Sequence, residues 1–165
     1  MRKVAFVNIL DETHKLMIYQ SCDGVYLFGY DCIQDAPSKW DNWFEDIETA
    51  EQYCSNNYKI ADNKWILISD PFEDCQHDFI MPTRIKGCDS GKPEYGKFET
   101  LINKRWVDTF SFDKHQSLSG LTGNERLFVT GLINEFDTAK KRDKIKARQI
   151  LKALDFDDKS IQRIV

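Results

Sequence analysis

Three short apolar stretches near the start of the chain decide its fold: VAFVNIL at Val4–Leu10, KLMIYQ at Lys15–Gln20 and VYLFGY at Val25–Tyr30. A polar gap of hairpin length separates the first two stretches, and the turn signal Cys22-Asp23-Gly24 precedes the third. β-Branched and aromatic residues, which fit a pleated sheet surface, fill all three stretches. We therefore predict three antiparallel strands at the start of the chain.

A helix is predicted directly after the acidic residues Glu45 and Asp46, either of which could cap it. One helical face carries the spacing i, i+3, i+6, i+7, formed by Ile47, Ala50, Tyr53 and Cys54. The pair Asn56-Asn57 suits the end of this helix.

The middle of the chain carries weaker patterns. Two strands are predicted at Trp65–Ile68 and Phe79–Met81. The second could extend through Thr83–Gly87, but Pro82 limits it to an edge strand or a bulge. The segment Asp31–Asn42 is predicted to be a loop because it lacks periodicity. Apolar residues of Lys97–Val107 recur at helical spacing, and we predict a short helix with an extended end there.

The last 46 residues have a helical pattern. Thr122 and Glu125 match a capping box, in which each side chain accepts a hydrogen bond from the other residue's backbone amide. A second helix is predicted at about 143–154, and Asp157 is placed to cap a third.

The combined pattern predicts an α+β fold: a mostly antiparallel sheet with one or two helices, followed by a small C-terminal helical unit. We divide the chain into an α+β domain at 1–110, a linker at 111–119 and a three-helix unit at 120–165. Because 46 residues bury little apolar surface by themselves, the helical unit is expected to pack on the α+β domain.

Composition excludes several protein classes. The 165 residues are 41% hydrophobic and 13% aromatic, which excludes disordered and collagen-like chains. No window approaches the roughly 18 apolar residues of a membrane span, and no secretory signal follows Arg2-Lys3. Five cysteines without framework-like spacing fit reduced thiols. We therefore expect a cytoplasmic protein that does not bind a membrane.

Charge is distributed unevenly along the chain. The net charge of −4 conceals 12 Lys and Arg against 19 Asp and Glu in residues 1–110, a net charge of −7, and 11 against 8 in residues 111–165, a net charge of +3. Such asymmetry can mark separate surfaces for separate partners.

The densest acidic region coincides with two tryptophans. Interface cores are enriched in large aromatic residues, and carboxylates around them steer a basic partner. We predict a partner-binding surface formed by Trp40, Asp41, Trp43, Glu45, Asp46, Glu48 and Glu51. The alternative is that the aromatic residues belong to the ordinary core.

The densest basic region suggests a different partner. Lys and Arg side chains supply the sequence-independent part of nucleic-acid affinity. If this region opens a helix of a helix-turn-helix motif, the nucleic-acid-binding residues are Lys140, Lys141, Arg142, Lys144, Lys146 and Arg148. Solvated helix faces are the simpler explanation of such a run.

Signals for catalysis, metals and cofactors are weak. Cys75 and His77 could form a thiol–imidazole pair, but active pairs are normally assembled from distant segments. The cysteines include no close C-x2-C pair of the kind that structural zinc uses. Gly91-Lys92 lacks the remaining residues of a phosphate-binding loop. We expect no metal, no cofactor and no enzyme activity.

Several local motifs carry a resemblance. The motifs are Asp23–Phe28, Trp43-Phe44-Glu45, Glu48-x-Ala50-Glu51 and Asp70-Pro71 with Cys75–Asp78. This part of the chain, about residues 20–107, resembles small uncharacterised bacterial α+β proteins, some of which have immunity or antitoxin-like roles. The resemblance implies fold more than function, because these motifs contain no known catalytic residues.

From the sequence we therefore predict a non-enzymatic protein-binding module. The resemblance adds an immunity-like role, in which an acidic aromatic surface neutralises a basic protein such as a nuclease. The alternative is a nucleic-acid-associated regulator that uses the basic helix at 140–148.

Overall fold

The computed structural model describes residues 1–9, 12–109 and 117–165, and it has an α+β fold as predicted. In these residues, eight strands form two antiparallel sheets, and five α-helices accompany them, four of them at the C-terminal end. Of the linker predicted at 111–119, residues 111–116 lie outside the described residues.

The first sheet has five strands in the order β4-β3-β2-β1-β5. They are β1 (Arg2–Ile9), β2 (Glu12–Gln20), β3 (Val25–Tyr30), β4 (Trp40–Phe44) and β5 (Ile66–Ile68). The three strands predicted at the start of the chain and the strand near 65–68 are confirmed. β4 is an exception, because its first three residues were predicted to be loop.

Helix α1 (Ile47–Tyr58) packs on one face of this sheet. The Asp46 carboxylate accepts a hydrogen bond from the Thr49 amide at 2.7 Å, so the predicted cap is confirmed. Lys59 ends the helix in the left-handed region, with φ of 58°. This end lies two residues beyond the predicted Asn56-Asn57.

The second sheet has three strands in the order β6-β7-β8, namely β6 (Thr83–Ile85), β7 (Phe98–Ile102) and β8 (Arg105–Asp108). The helix predicted within Lys97–Val107 is wrong: β7 and β8 form a hairpin across Asn103 and Lys104, whose φ angles are 51° and 64°. Two successive positive φ angles are typical of a tight hairpin turn. No strand forms at Phe79–Met81, so that part of the prediction is wrong, whereas its extension beyond Pro82 corresponds to the edge strand β6.

Four C-terminal helices replace the three predicted ones: α2 (Gly123–Val129), α3 (Ile133–Arg142), α4 (Lys144–Ala153) and α5 (Asp158–Ile164). Gly131, with φ of 77°, separates α2 from α3. The capping box of Thr122 with Glu125 is confirmed, and so is the Asp157 cap, which accepts from the Ser160 amide at 3.0 Å.

The C-terminal helices cover the other face of the first sheet. One apolar cluster contains sheet residues such as Val4, Met17 and Ile66 together with Ile150 of α4 and Leu132 directly before α3, all at most 2% exposed. Sheet and helices therefore share a core. Among the described residues, no helix is long and apolar enough to cross a membrane.

Candidate functional site

The strand register places a row of large side chains across one face of the first sheet. Arg2 lies opposite Tyr19, Tyr19 opposite Tyr26, and Tyr26 opposite Trp43. Directly opposed residues point to the same face of a sheet, so these four side chains form one row from β1 to β4. This is the face that also carries Met17, on which the C-terminal helices pack.

A second row runs beside the first and ends in a carboxylate. Met17 lies opposite Phe28, and Phe28 lies opposite Asp41. The rings of Tyr26 and Phe28 are nearly parallel, with an angle of 8° and a centroid distance of 6.1 Å. The β3–β4 end of the face therefore presents aromatic rings next to an acidic group.

Arg2 fixes the chain segment at residues 77–79, which borders this face of the sheet. Its guanidinium donates hydrogen bonds to the carbonyls of Ser69 at 2.7 Å, Phe79 at 2.5 Å and His77 at 3.3 Å. This anchoring brings the His77 ring to 4.7 Å from the Tyr19 ring. His77 is exposed and forms one wall of the site.

Between these groups lies a pocket of about 360 Å³, which we call the sheet pocket. It is lined by Tyr19, Ser21, Asp23, Tyr26, Phe28, Asp41 and His77. Asp23 and Asp41 are exposed, and within the described part of the chain neither carboxylate belongs to an ion pair. The pocket therefore combines aromatic rings with two uncompensated negative charges.

Trp43 extends the aromatic row to the outer edge of the sheet and is 52% exposed. β4 is an edge strand, paired on one side only. A Cβ at Gly24 would lie 2.4 Å from Trp43 Nε1, so the glycine allows the indole to lie against the β2–β3 turn. The position of Trp43 is thus fixed by packing on one side, while its other side faces solvent.

Trp40, the other predicted aromatic residue, lies on the opposite face of the sheet. Residues three apart on a strand point in opposite directions, so Trp40 and Trp43 do not form one surface. Trp40 is half-buried, packs on the α1 side and stacks on Tyr58, with ring centroids 6.3 Å apart. A Cβ at Gly29 would lie 2.1 Å from the Trp40 ring. The prediction that both tryptophans belong to one surface is therefore wrong.

The predicted acidic residues divide into different environments. Asp46 caps α1, and Glu51 forms an ion pair with Lys3, whose side chain is 7% exposed. Glu45 and Glu48 are exposed. Of the predicted carboxylates, only Asp41 lines the sheet pocket.

The basic run does not open one helix, as the sequence suggested, but spans a junction between two. Lys140, Lys141 and Arg142 end α3, while Lys144, Lys146 and Arg148 belong to the start of α4. Asp143 between them accepts from the Lys146 amide at 3.0 Å and caps α4. The Lys146 ammonium is 2.7 Å from Glu135 Oε2 and is therefore neutralised. The other five cations are exposed.

The thiol–imidazole pair lacks an activated thiol. Cys75 is buried in the turn-rich segment before β6, and burial raises the pKa of its thiol. A raised pKa leaves the thiol protonated and weakly nucleophilic at neutral pH. The His77 ring lies against the Tyr19 ring instead, tilted by 53°. All five cysteines are free, and residues 1–9, 12–109 and 117–165 contain no group of three or more His, Cys, Asp or Glu placed to hold a metal ion.

A buried charge pair lies deeper under the same face. Lys15 is fully buried, and its ammonium donates to the Gln34 carbonyl at 2.7 Å, lies 3.6 Å from Asp35 Oδ1 and lies 4.0 Å from the centre of the Tyr30 ring. Burial lowers the pKa of Lys15 and raises that of Asp35, and in each case the charge of the partner opposes the shift.

Asp35 also ties together segments that are distant in sequence. Its two carboxylate oxygens accept hydrogen bonds from the amides of Ile80 and Met81, both at 2.8 Å, and its own amide donates to the Val129 carbonyl. These contacts join β2, the segment before β6 and α2. The Lys15–Asp35 pair therefore supports the site from the interior and does not form part of its surface.

Sequence reasoning missed most residues of the sheet pocket, although part of the signal was present. Tyr26 and Phe28 alternate with buried residues along β3, so their shared face follows from strand periodicity. Tyr19 joins them through the β2–β3 register. The sequence singles out His77 only as a neighbour of Cys75, and its place in the pocket has no local signal because that place depends on Arg2, 75 residues away.

Comparisons with known proteins identify no relative. No family model matches the chain, and neither a curated protein nor a solved structure matches it.

Proposed function

We propose that the protein is a non-enzymatic binding module whose sheet pocket, together with Trp43, receives a basic protein partner. The observation that carries this proposal is the half-exposed Trp43 at the end of an aromatic row, next to the carboxylate of Asp41, which has no cationic partner among the described residues. An aromatic anchor beside uncompensated charge is typical of a protein interface.

The surrounding charge supports a basic partner rather than an acidic one. Glu45 and Glu48 are exposed directly after β4, and Asp23 lines the other side of the pocket. A field of one sign around an aromatic centre accelerates the encounter with a partner of the opposite sign. We propose an immunity-like role, in which the protein occludes the functional surface of a basic protein such as a nuclease.

A reducing compartment suits this role. Cys22 and Cys88 are exposed free thiols, which persist in reducing compartments more readily than in oxidising ones. We therefore propose that the protein acts in the cytoplasm.

Site-specific photo-crosslinking in the cells that produce the protein tests the proposal. A benzophenone amino acid replaces Glu45, beside the proposed surface, and in a second variant it replaces Tyr95, which is 82% exposed on a different part of the chain. We expect the probe at position 45 to capture a protein of basic net charge and the probe at position 95 not to capture it.

Matched substitutions make the experiment decisive. Trp43→Ser should abolish the crosslink from position 45, whereas Phe72→Ser should not, although Phe72 is exposed to a similar extent, 54% against 52%. The crosslink should also weaken as salt is raised, since the attraction between exposed charges is screened. Equal capture from positions 45 and 95, or a crosslink unaffected by Trp43→Ser, contradicts the proposal.

Nucleic acid is the competing partner that the same preparation can test. Five exposed cations lie at the α3–α4 junction and could contact phosphates. We expect no binding of a 30-base-pair DNA duplex at 50 mM salt. Tight binding with a steep negative salt dependence, lost when Lys140, Lys141 and Arg142 are changed to Gln, would favour a nucleic-acid-associated regulator instead.

A further inference from the structure

The sheet pocket has the chemistry of a site for one particular cationic group. Its floor is built of the Tyr19, Tyr26 and Phe28 side chains, and two carboxylates stand at its rim. We infer that the pocket receives an arginine side chain of the partner, with the guanidinium stacked on the rings and bonded to Asp41. This inference rests on the proposed function and specifies the contact that anchors the partner.

The arrangement of the rim supports an elongated cation with more than one donor. Asp23 lies in the β2–β3 turn, beyond the row that contains Tyr19 and Tyr26, whereas Asp41 belongs to the neighbouring row on the other side. A side chain lying across the rings therefore passes between two negative charges. Arg has five N–H donors in a planar fork, so it can meet a carboxylate with two bonds while its plane covers a ring.

Lysine fits the same pocket less well. Its ammonium is a compact and strongly hydrated charge, which loses more hydration free energy on entering a pocket floored by aromatic rings. A guanidinium is more weakly hydrated and is the cation found more often over aromatic faces. The protein itself contains this arrangement elsewhere, because the Arg84 guanidinium lies 4.1 Å from the centre of the Trp106 ring and is also bonded to Glu99.

The size of the pocket fits a side chain rather than a whole domain. Its volume of about 360 Å³ falls at the lower end of the range for ligand pockets, about 300–1,000 Å³. Trp43 lies beside it at the sheet edge and would contact the residues that flank the arginine.

Three capped tripeptides test this inference without knowledge of the partner: acetyl-Gly-Arg-Gly-amide, its lysine counterpart and its citrulline counterpart, which keeps the planar shape and removes the charge. Binding is followed by NMR, from the aromatic signals of Tyr19, Tyr26 and Phe28. We expect the arginine peptide to bind with millimolar affinity, at least fivefold more tightly than the lysine peptide and at least tenfold more tightly than the citrulline peptide.

Substitutions assign the contact to the pocket. Asp41→Asn should weaken arginine-peptide binding about tenfold, whereas Asp137→Asn, which removes an exposed carboxylate on α3, should leave it unchanged. Both positions are exposed, and unchanged signals from the buried core residues verify that each variant is folded.

The outcomes separate this inference from the proposed function. Equal binding of the arginine and lysine peptides, no binding of any peptide, or signal changes confined to other surfaces would overturn the inference while the crosslinking result for the basic partner still stands. Failure of the crosslinking experiment together with selective binding of the arginine peptide would instead overturn the proposed function and leave the arginine site in place.

Discussion

Lys15 illustrates how one residue can hold several segments in place. Its side chain is fully buried, and its charge is compensated by Asp35, by the Gln34 carbonyl and by the face of Tyr30. A buried cation that loses its counter-charge is destabilising, because its desolvation is no longer offset. The pair therefore links the stability of the fold to the position of the segment bordering the sheet pocket.

Asp35→Asn should lower the free energy of unfolding by about 3–5 kcal/mol, because it leaves the buried Lys15 without a counter-charge. Urea denaturation followed by circular dichroism measures this change. Asp158→Asn, which alters a largely exposed carboxylate, should change the value by less than about 0.5 kcal/mol. Adding Lys15→Met to Asp35→Asn should recover part of the loss, and a loss that stays unchanged would contradict the assigned role of the charge pair.

Glu135 gives a residue-scale prediction about pH. Burial alone would raise the pKa of this carboxyl group, but hydrogen bonds from Lys146 and the Ser69 amide outweigh burial and lower it. A carboxylate whose pKa is lowered in the folded state stabilises the fold above its unfolded pKa, about 4.3, and that stabilisation is lost as the pH falls through the folded value.

Glu135→Gln should therefore lower the free energy of unfolding at pH 7 by about 1.5–3 kcal/mol, the range for hydrogen bonds to charged groups. The difference from the unsubstituted protein should remain constant down to about pH 5 and shrink below about pH 4.3. Denaturation curves at a series of pH values measure it. A difference that grows on acidification would show that the hydrogen bonds do not stabilise the charged form.

At the scale of elements, Gly131 separates α2 from α3 and so accounts for the fourth C-terminal helix. It has φ of 77° between α2 and α3, and a Cβ at this position would lie 2.6 Å from Asp35 Oδ2. The left-handed conformation ends α2 here, and the contact with Asp35 leaves no room for a side chain at this position.

Two glycines with the same backbone angle provide a matched test. Gly120 has φ of 78° and open space around its Cβ position. Gly120→Ala should lower the unfolding free energy by only about 1–2 kcal/mol, which is the backbone cost of a left-handed residue. Gly131→Ala should cost at least about 1 kcal/mol more, because the methyl group also displaces Asp35. Thermal denaturation of both variants measures the two losses of unfolding free energy. Equal losses would contradict the argument that Gly131 is required by its contact with Asp35.

Elements specified by short-range signals could be predicted from the sequence. The cap of α1 by Asp46, the capping box at Thr122 and the cap at Asp157 each involve residues three apart, and all three are confirmed. The hairpin of β7 and β8 was missed because its apolar residues also fit helical spacing and its turn, Asn103-Lys104, contains no glycine.

The sequence does not predict β4 for a related reason, and the missing strand affects the prediction of the site residues. The strand carries large aromatic side chains on both faces, so it has no alternation between apolar and polar residues. Without a strand, Trp40 and Trp43 could be assigned to one surface. Composition alone indicates Asp41 and Trp43 as partner-binding residues, whereas the opposite orientation of Trp40 follows only from the strand.

At the scale of the whole molecule, sheet and helices depend on a common core. The cluster between them includes Met17 and Tyr30 from the sheet, Leu151 from α4 and Leu154 directly after α4, all at most 3% exposed. Removal of either part would expose the apolar face of the other.

We therefore expect the full chain to unfold in a single cooperative transition, with coincident curves from far- and near-ultraviolet circular dichroism. A fragment of residues 1–109 should lose its near-ultraviolet signal and bind a hydrophobic dye, because its sheet would expose the surface that the helices cover. Two separated transitions in the full chain, or a fragment with a native-like spectrum, would show that residues 1–110 form an independent domain.

The position of Trp43 also makes the four tryptophans differ in their accessibility to fluorescence quenchers. Of the four tryptophans, Trp43 is the one that is more than half exposed, whereas Trp65 is 8% exposed and Trp40 and Trp106 are half-buried. Collisional quenchers in solution therefore reach mainly this indole. Because Asp41 and Glu45 surround it with negative charge, the ratio of caesium quenching to iodide quenching should be higher for this indole than for free N-acetyltryptophanamide. The emission that remains after quenching then comes from the interior, so one spectrum separates events at this surface from changes in the core.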